Sequence, residues 1–274
     1  MKIFIDSADL EQITAARSYG ILDGVTTNPS LIKKAVSKMQ DRGEQVDMRQ
    51  YLEKLLTEAG DVPVSLEVIG SDYEAMVKEG RFLYETFNPV AGNVLVKIPV
   101  DPAFSRDSGS HFEGIQAIRT LTGEGVPVNC TLIFTPEQAL LAAKAGASIV
   151  SPFAGRVDDS LRKRNSIAFS KSDYFPAEGM DAAEVPDIGG IVSGIDLVAQ
   201  CADILSRYGH KAEVLAASLR NPRQTREAAQ VGAHIATLPF AVIEELLTHD
   251  LTMEGMQLFT DDIVPEYAEL LESW

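Results

Sequence analysis

Lys97 carries the most chemical content in this sequence. It stands in the run VLVKIPV at 94–100, with apolar neighbours on both sides. Burial among such neighbours disfavours an ammonium ion, and a neutral amine is a nucleophile toward a carbonyl carbon. A strand lysine can also pair with a carboxylate for stability alone. Two acids near the ends of other strand-like runs, Asp6 in KIFID and Glu67 in VSLEV, shift the reading toward chemistry. Schiff-base formation needs proton transfers to make and lose a carbinolamine. Cleavage of a carbon–carbon bond needs a base for the neighbouring hydroxyl, and carboxyl groups can serve both steps. A buried charge is costly unless paired, so charges on three separate strands imply one shared polar site. Taken singly, Asp6 could instead cap the helix that follows it, and Glu67 could simply pair with Lys97; a pair and a proton relay are compatible.

Polar residues recur at the same place in the other strand-like runs: Thr27 with Asn28, Asn129 with Thr131, Ser151, Ser218 and Thr237. Arg156 and Arg220 follow the sixth and seventh runs. With Ser151 and Ser218 they form the kind of donor cluster that suits an anionic group on late barrel loops. The four histidines, at 111, 210, 234 and 249, are scattered, and no Cys/His group has zinc spacing. No metal site is expected. His249, at a helix end, and Cys130 read as structural.

These residues need a scaffold that brings many strand ends together. Short runs rich in Val, Ile, Leu and Ala lie at 2–6, 24–27, 64–68, 94–98, 126–131, 148–151, 213–218 and 234–238. They lack clean polar alternation, as strands buried on both faces do. Helical patterns lie at 9–19, 30–39, 72–87, 112–122, 136–145, 191–208, 222–231, 240–247 and 262–272, several opened by Pro and closed by Gly. Eight βα units in series predict an α/β fold, a (β/α)8 TIM barrel, in which strand C-terminal ends converge on one mouth. An open doubly wound sheet would be expected to carry a Gly-rich first turn, which is absent. One domain spanning 1–274 is expected, with loop insertions near 38–49, 101–111 and 158–190 and helices at the C-terminus. The basic run Arg162, Lys163 and Arg164 in the last insertion has two equal readings: a rim element that captures substrate, or a subunit contact.

Composition narrows the partners. The net charge is −16, which disfavours nucleic acid and anionic membrane as partners of the surface as a whole. An anionic small molecule would need the local Arg and Ser cluster. The two cysteines are too few for a disulfide framework. The N-terminus begins with a strand-like run rather than a signal-like one, so a cytoplasmic location is expected.

The segments FIDSADL (4–10), GVTTNPSL (24–31), VSLEV (64–68), VLVKIPV (94–100), VNCTLIFTPEQALLAAKAGA (128–147), VSPFAGRVDD (150–159), VLAASLRNPRQ (214–224) and ATLPFAVIEEL (236–246) resemble, in order, the transaldolase family, in its small-subunit branch with the fructose-6-phosphate aldolases. The resemblance covers almost the whole chain. It implies a class I aldolase-like barrel without cofactor or metal. Lys97 would be the Schiff-base lysine and Asp6 the base of the retro-aldol step. Glu67 and Thr131 would hold a proton-shuttling water. Thr27, Asn28, Asn129 and Ser151 would surround the three-carbon unit beside Phe153, and Arg156, Ser218 and Arg220 would hold a phosphate. The implied reaction moves a dihydroxyacetone unit from fructose 6-phosphate or sedoheptulose 7-phosphate to an aldose phosphate, as in the pentose phosphate pathway. A ring-type homo-oligomer, pentamer or decamer, is implied as well. Aldolases that release free dihydroxyacetone tend to carry Gln and Tyr where this chain has Glu67 and Phe153, so the transaldolase type is the expectation. The alternatives are aldol cleavage, a sulfonated or otherwise modified sugar, and a non-catalytic phosphosugar-binding barrel, for which the Lys97, Glu67 and Asp6 set would have no use.

Overall fold

The computed structural model describes residues 1–181 and 185–273. Eight parallel strands close into a barrel in sequence order: β1 (Lys2–Asp6), β2 (Gly24–Thr26), β3 (Val64–Glu67), β4 (Val94–Pro99), β5 (Val128–Ile133), β6 (Ile149–Pro152), β7 (Glu213–Ala216) and β8 (Ile235–Leu238). Pairing of Lys2 with Ile235 and of Ile5 with Leu238 closes the ring. The helices among the described residues are α1 (Leu10–Ser18), α2 (Pro29–Asp41), α3 (Met48–Ala59), α4 (Tyr73–Ala91), α5 (Glu113–Gly123), α6 (Pro136–Ala145), α7 (Ala154–Arg164), α8 (Gly194–Arg207), α9 (Pro222–Gln230), α10 (Phe240–Glu245), α11 (Asp250–Asp261) and α12 (Pro265–Glu272). No described helix is long and apolar enough to cross a membrane.

Strand side chains alternate between two faces, and here each face meets a different core. Ile5, Val25, Val64, Val96, Val128, Val150, Val214 and Ala236 point outward, into the layer between sheet and helices. Phe4, Leu95, Ile149, Leu215 and Ile235 point inward and pack together as a plug inside the barrel. Burying a side chain of this size favours folding by roughly 1.5–3 kcal/mol. Gly24 makes room for it, because a Cβ there would run into the Phe4 ring. Two residues further along four of these strands the inward positions become polar, at Asp6, Lys97, Ser151 and Thr237, while Ala217 after β7 stays apolar. The apolar plug is thus the floor of the site, and the polar layer stands on it.

The expected insertions are partly helical. Residues 38–49 contain the end of α2 and the start of α3, a helix added between β2 and β3. Its pattern is legible in MRQYLEKLLTEA, where Tyr51, Leu55, Leu56 and Ala59 are buried on one face. Residues 158–164 belong to α7; residues 165–181 and 185–192 contain no helix or strand, and Ser193 is the N-cap of α8. The 101–111 stretch has no helix or strand. Helices α11 and α12 contain no buried residue and expose Leu251, Met256, Phe259, Tyr267 and Leu271.

Candidate active site

Strand register puts Glu67 beside Lys97, and Lys97 beside Asn129. All three therefore lie at one level inside the barrel. Lys97 is 4% exposed. Its Nζ lies 3.0 Å from Glu67 Oε2 and donates to the Thr27 carbonyl at 3.0 Å. An amine so deeply buried would be unfavourable without such partners. The carboxylate and carbonyl also fix where the nitrogen points.

Asp6 stands on the opposite side of this layer. Burial raises its carboxyl above the usual range, against the pull of Lys97, a hydrogen bond from Thr26, and Arg156 and Arg220 further off. Thr26 Oγ1 donates to Asp6 Oδ1 at 2.7 Å and is also bonded to the Thr237 hydroxyl at 2.5 Å. Desolvation that favours the protonated form, together with donors that favour the ionised one, leaves a carboxyl able to take and return a proton.

On the third side, Asn129 donates to Ser65 Oγ at 3.0 Å and accepts from Ser151 Oγ at 2.7 Å. Thr131 Oγ1 is buried and has no partner among the described residues. Just beyond it β5 changes register between Cys130 and Ile133, and Leu132 takes a φ of 60°. Bulges of this kind often adjoin active sites, where they re-aim side chains. A cavity of about 90 Å³ opens above the polar layer, lined by Asp6, Thr26, Asn28, Lys97, Ser151, Phe153, Arg156, Ser218 and Thr237 among others. Asn28 is the N-cap of α2 and accepts from Leu31 N at 3.0 Å.

The cationic residues ring one edge of this mouth. Arg156, in the first turn of α7, is exposed, and its guanidinium stands 5.0 Å from the Phe153 ring centroid. Phe153 in turn packs against Phe134 at 5.9 Å. Arg220 is held by Asp159 at 2.9 Å and by the Ser218 carbonyl at 2.9 Å. A match along nearly the whole chain decides the family. The model described as transaldolase/fructose-6-phosphate aldolase covers residues 3–273. The chain belongs to that family.

Transaldolase relatives are similar along their whole length. The chain is 42% identical to a probable transaldolase of Chlorobium phaeobacteroides over 262 residues, 96% of each chain. It is 40% identical to a probable transaldolase of Aquifex aeolicus, again over 96% of each. A probable transaldolase of Petrotoga mobilis matches at 37% over 273 residues, covering 100% of this chain and 99% of the relative. The protein is accordingly an enzyme of the transaldolase/aldolase type.

Set against this transaldolase frame, the residues singled out in the sequence converge with two adjustments and one omission. Thr27 is fully buried with its hydroxyl donated to the Ser65 carbonyl at 2.7 Å, so it reaches the site only through its main chain. Thr26, one residue earlier, lines the cavity. Alternation puts Thr26 and Asn28 on one face and Thr27 on the other, and the pairing of Thr26 with inward-facing Asp6 decides which face is inside. The rim reading of the basic run is corrected. Arg162, Lys163 and Arg164 form the last turn of α7, which starts at the mouth and runs away from it. There cations suit the helix C-terminus. Arg162 is itself buried, with its guanidinium about 5 Å from both the Phe169 and Phe175 rings. Ser65, which orients Asn129, was missed because a lone serine in an apolar strand carries no signal of its own. Cys130 is a fully buried thiol on the outward face, as a structural residue should be, and its pKa is pushed well up by burial.

Proposed function

We propose that the protein is a transaldolase that carries a dihydroxyacetone unit on Lys97. The observation that carries this reading is the buried Lys97 amine, 3.0 Å from Glu67 and opening onto the same small cavity as Asp6. Lys97 Nζ adds to the C2 carbonyl of fructose 6-phosphate or sedoheptulose 7-phosphate. Glu67 and Thr131 serve the proton transfers that expel the C2 oxygen as water and leave the Schiff base. Asp6 takes the proton from the C4 hydroxyl, the C3–C4 bond breaks, and its electrons pass into the iminium to give an enamine. The aldose phosphate departs, an acceptor aldose phosphate enters, and the enamine attacks its aldehyde while Asp6 returns the proton. Asn28, Asn129 and Ser151 hold the hydroxyls of the three-carbon unit, and Arg156, Ser218 and Arg220 hold the phosphate. The orphaned Thr131 hydroxyl supports this assignment, since a buried polar atom calls for a partner.

Phe153, where an aldolase-type relative would have a hydroxyl, and Glu67 in place of Gln favour transfer over release of free dihydroxyacetone. Reduction with borohydride in the presence of fructose 6-phosphate, followed by peptide mass spectrometry, tests the reading. One reduced three-carbon adduct on Lys97 is expected, and product analysis with erythrose 4-phosphate should show sedoheptulose 7-phosphate. An adduct-free Lys97 under turnover would refute it. We further place the enzyme in the cytoplasm, as a homo-oligomer. The apolar faces of α11 and α12, unusual on a monomer surface, support association of copies, and sedimentation velocity should give a mass several times that of one chain.

A further inference from the structure

The mechanism leaves unexplained a buried acid and a buried amide behind the anion-binding edge. Asp158 and Gln224 are each 1% exposed. Gln224 Nε2 donates to Asp158 Oδ2 at 2.7 Å, and Asp158 Oδ1 accepts from Gly194 N at 2.7 Å. The amide orientation is thereby determined: with its nitrogen toward the carboxylate, Gln224 Oε1 accepts the main-chain N–H of Arg220 at 2.8 Å. The next residue of α7, Asp159, holds the guanidinium of the same arginine at 2.9 Å. Consecutive aspartates thus grip Arg220 at both ends, one directly at its head and one through Gln224 at its backbone.

The loop being held is not at rest by itself. Ser218 has a φ of 62°, the left-handed region that costs a non-glycine residue free energy and persists only where surroundings impose it. Its carbonyl accepts Arg220 Nε at 2.9 Å and presses on Gly155, where a Cβ would collide with Ser218 O. An ordinary capping box explains part of the arrangement. In α6, Gln138 accepts from the N–H groups of Phe134 and Thr135. Gln224 occupies the same helix position in α9, after Asn221, but there its nitrogen is tied to a buried carboxylate on another helix.

We propose that Gln224, anchored by Asp158, is a positioning residue that presets Ser218 and Arg220 for the anionic tail of the substrate. The proposal rests on the reading of Arg220 and Ser218 as tail-binding groups. The grip needs Asp158 ionised, since both of its oxygens face N–H donors. Burial pushes its carboxyl up to about 7, against the Gly194 N–H, Arg162 and Gln224, with Asp159 adding to the upward push.

The test compares tailed and tailless probes. Gln224→Met keeps the volume and removes both hydrogen bonds. It should raise KM for fructose 6-phosphate and Ki for inorganic phosphate about tenfold, a modest misplacement effect. Its kcat, and the rate of borohydride trapping of dihydroxyacetone, which has no tail, should stay within about twofold. Gln224→Glu keeps an oxygen toward Arg220 but sets a carboxylate against Asp158. It should bind phosphate poorly at about pH 8 and recover at about pH 6, where the two carboxyls share a proton, the reverse of the parent, whose Asp158 loses its charge over that range. That recovery decides the matter if Gln224→Met does not fold. If phosphate Ki in either folded variant equals the parent's at every pH while Arg220→Ala raises it, Gln224 is a helix cap only and the proposal is wrong. If Arg220→Ala itself leaves Ki and KM unchanged, the tail-binding assignment fails first.

Discussion

Glu67 and Lys97 are register partners on adjacent parallel strands, and their charged ends meet at 3.0 Å inside the barrel. Because register is a property of the backbone, this pair does not depend on loop conformation, and its consequences can be tested by substitution. Replacing Lys97 with Met should abolish both the reduced adduct and transfer, a loss of at least about 10³-fold, since a covalent route is removed. It also leaves Glu67 without its charged partner. Retention of near-normal transfer by a folded Lys97→Met protein would rule out the covalent role.

Glu67→Gln combined with Phe153→Tyr should move the enzyme toward hydrolytic release. A tyrosine hydroxyl beside the cavity can help water attack the intermediate, which Phe153 cannot. Dihydroxyacetone formed without an acceptor is the readout, with an increase of about tenfold or more over the parent expected. An unchanged rate would remove these two positions from the account of specificity.

Thr26 should set the acid limb of the pH profile. Its hydroxyl donates to Asp6 and draws that carboxyl down against burial. A Thr26→Val substitution removes the donor, so the Asp6 pKa rises further and the ionised base is lost at a higher pH. The acid limb of kcat/KM should therefore move upward, with little change at its alkaline end. A limb that stays in place would separate Asp6 from the proton abstraction.

The two arginines at the mouth and the basic run at the far end of α7 should behave oppositely. If Arg156 holds the phosphate as proposed, losing its head should remove a charge-assisted hydrogen bond worth about 1.5–3 kcal/mol, or roughly ten- to a hundredfold in KM for a phosphorylated ketose. Exposed Lys163 and Arg164 lie one helix length away, so their replacement by Ala should leave kcat/KM within about twofold at low and high salt. A salt-dependent fall in kcat/KM for the Lys163/Arg164 variant would restore the capture role.

His111 ties the inserted 101–111 loop to the end of the lysine strand. Its Nδ1 lies 2.8 Å from Asp101 Oδ2 and its Nε2 2.9 Å from the Arg106 carbonyl. Two acceptors favour the doubly protonated ring, and the Asp101 hydrogen bond, with that of Arg106, holds its pKa above the ordinary 6.5. The sign follows from linkage: a raised histidine contributes fully below its ordinary value and loses that contribution as pH rises through the raised one. Proton NMR titration should place His111 above the ordinary histidine value, and Asp101→Asn should bring it down. Hydrogen exchange of the loop should quicken as pH passes that value by more than the intrinsic rate does.

Much of the fold and of the candidate site was legible in the chain. Lys97, Asp6 and Glu67 stood out because ionisable residues inside apolar strands are expensive and so call for one another. Thr26 and Ser65 were not legible in that way, since a hydroxyl in a short strand costs little and signals nothing until its facing is known. The loops expected at 38–49 and 158–190 take in the end of α2, the start of α3 and much of α7, because polar residues dominate those short windows. The basic run was misplaced because a sequence gives no distance along a barrel.

By itself, then, the sequence determined the order of the βα units, the class of fold and the candidate nucleophile, because burial patterns and the cost of an unpaired charge are local properties of the chain. Only the tertiary structure decided that Thr26 rather than Thr27 faces the cavity, that Arg162 is sandwiched by phenylalanines far from the mouth, and that Asp158 reaches Arg220 through Gln224. Those outcomes depend on strand register and on the direction in which each helix leaves the barrel. Both arise when the sheet closes and brings together residues far apart in sequence.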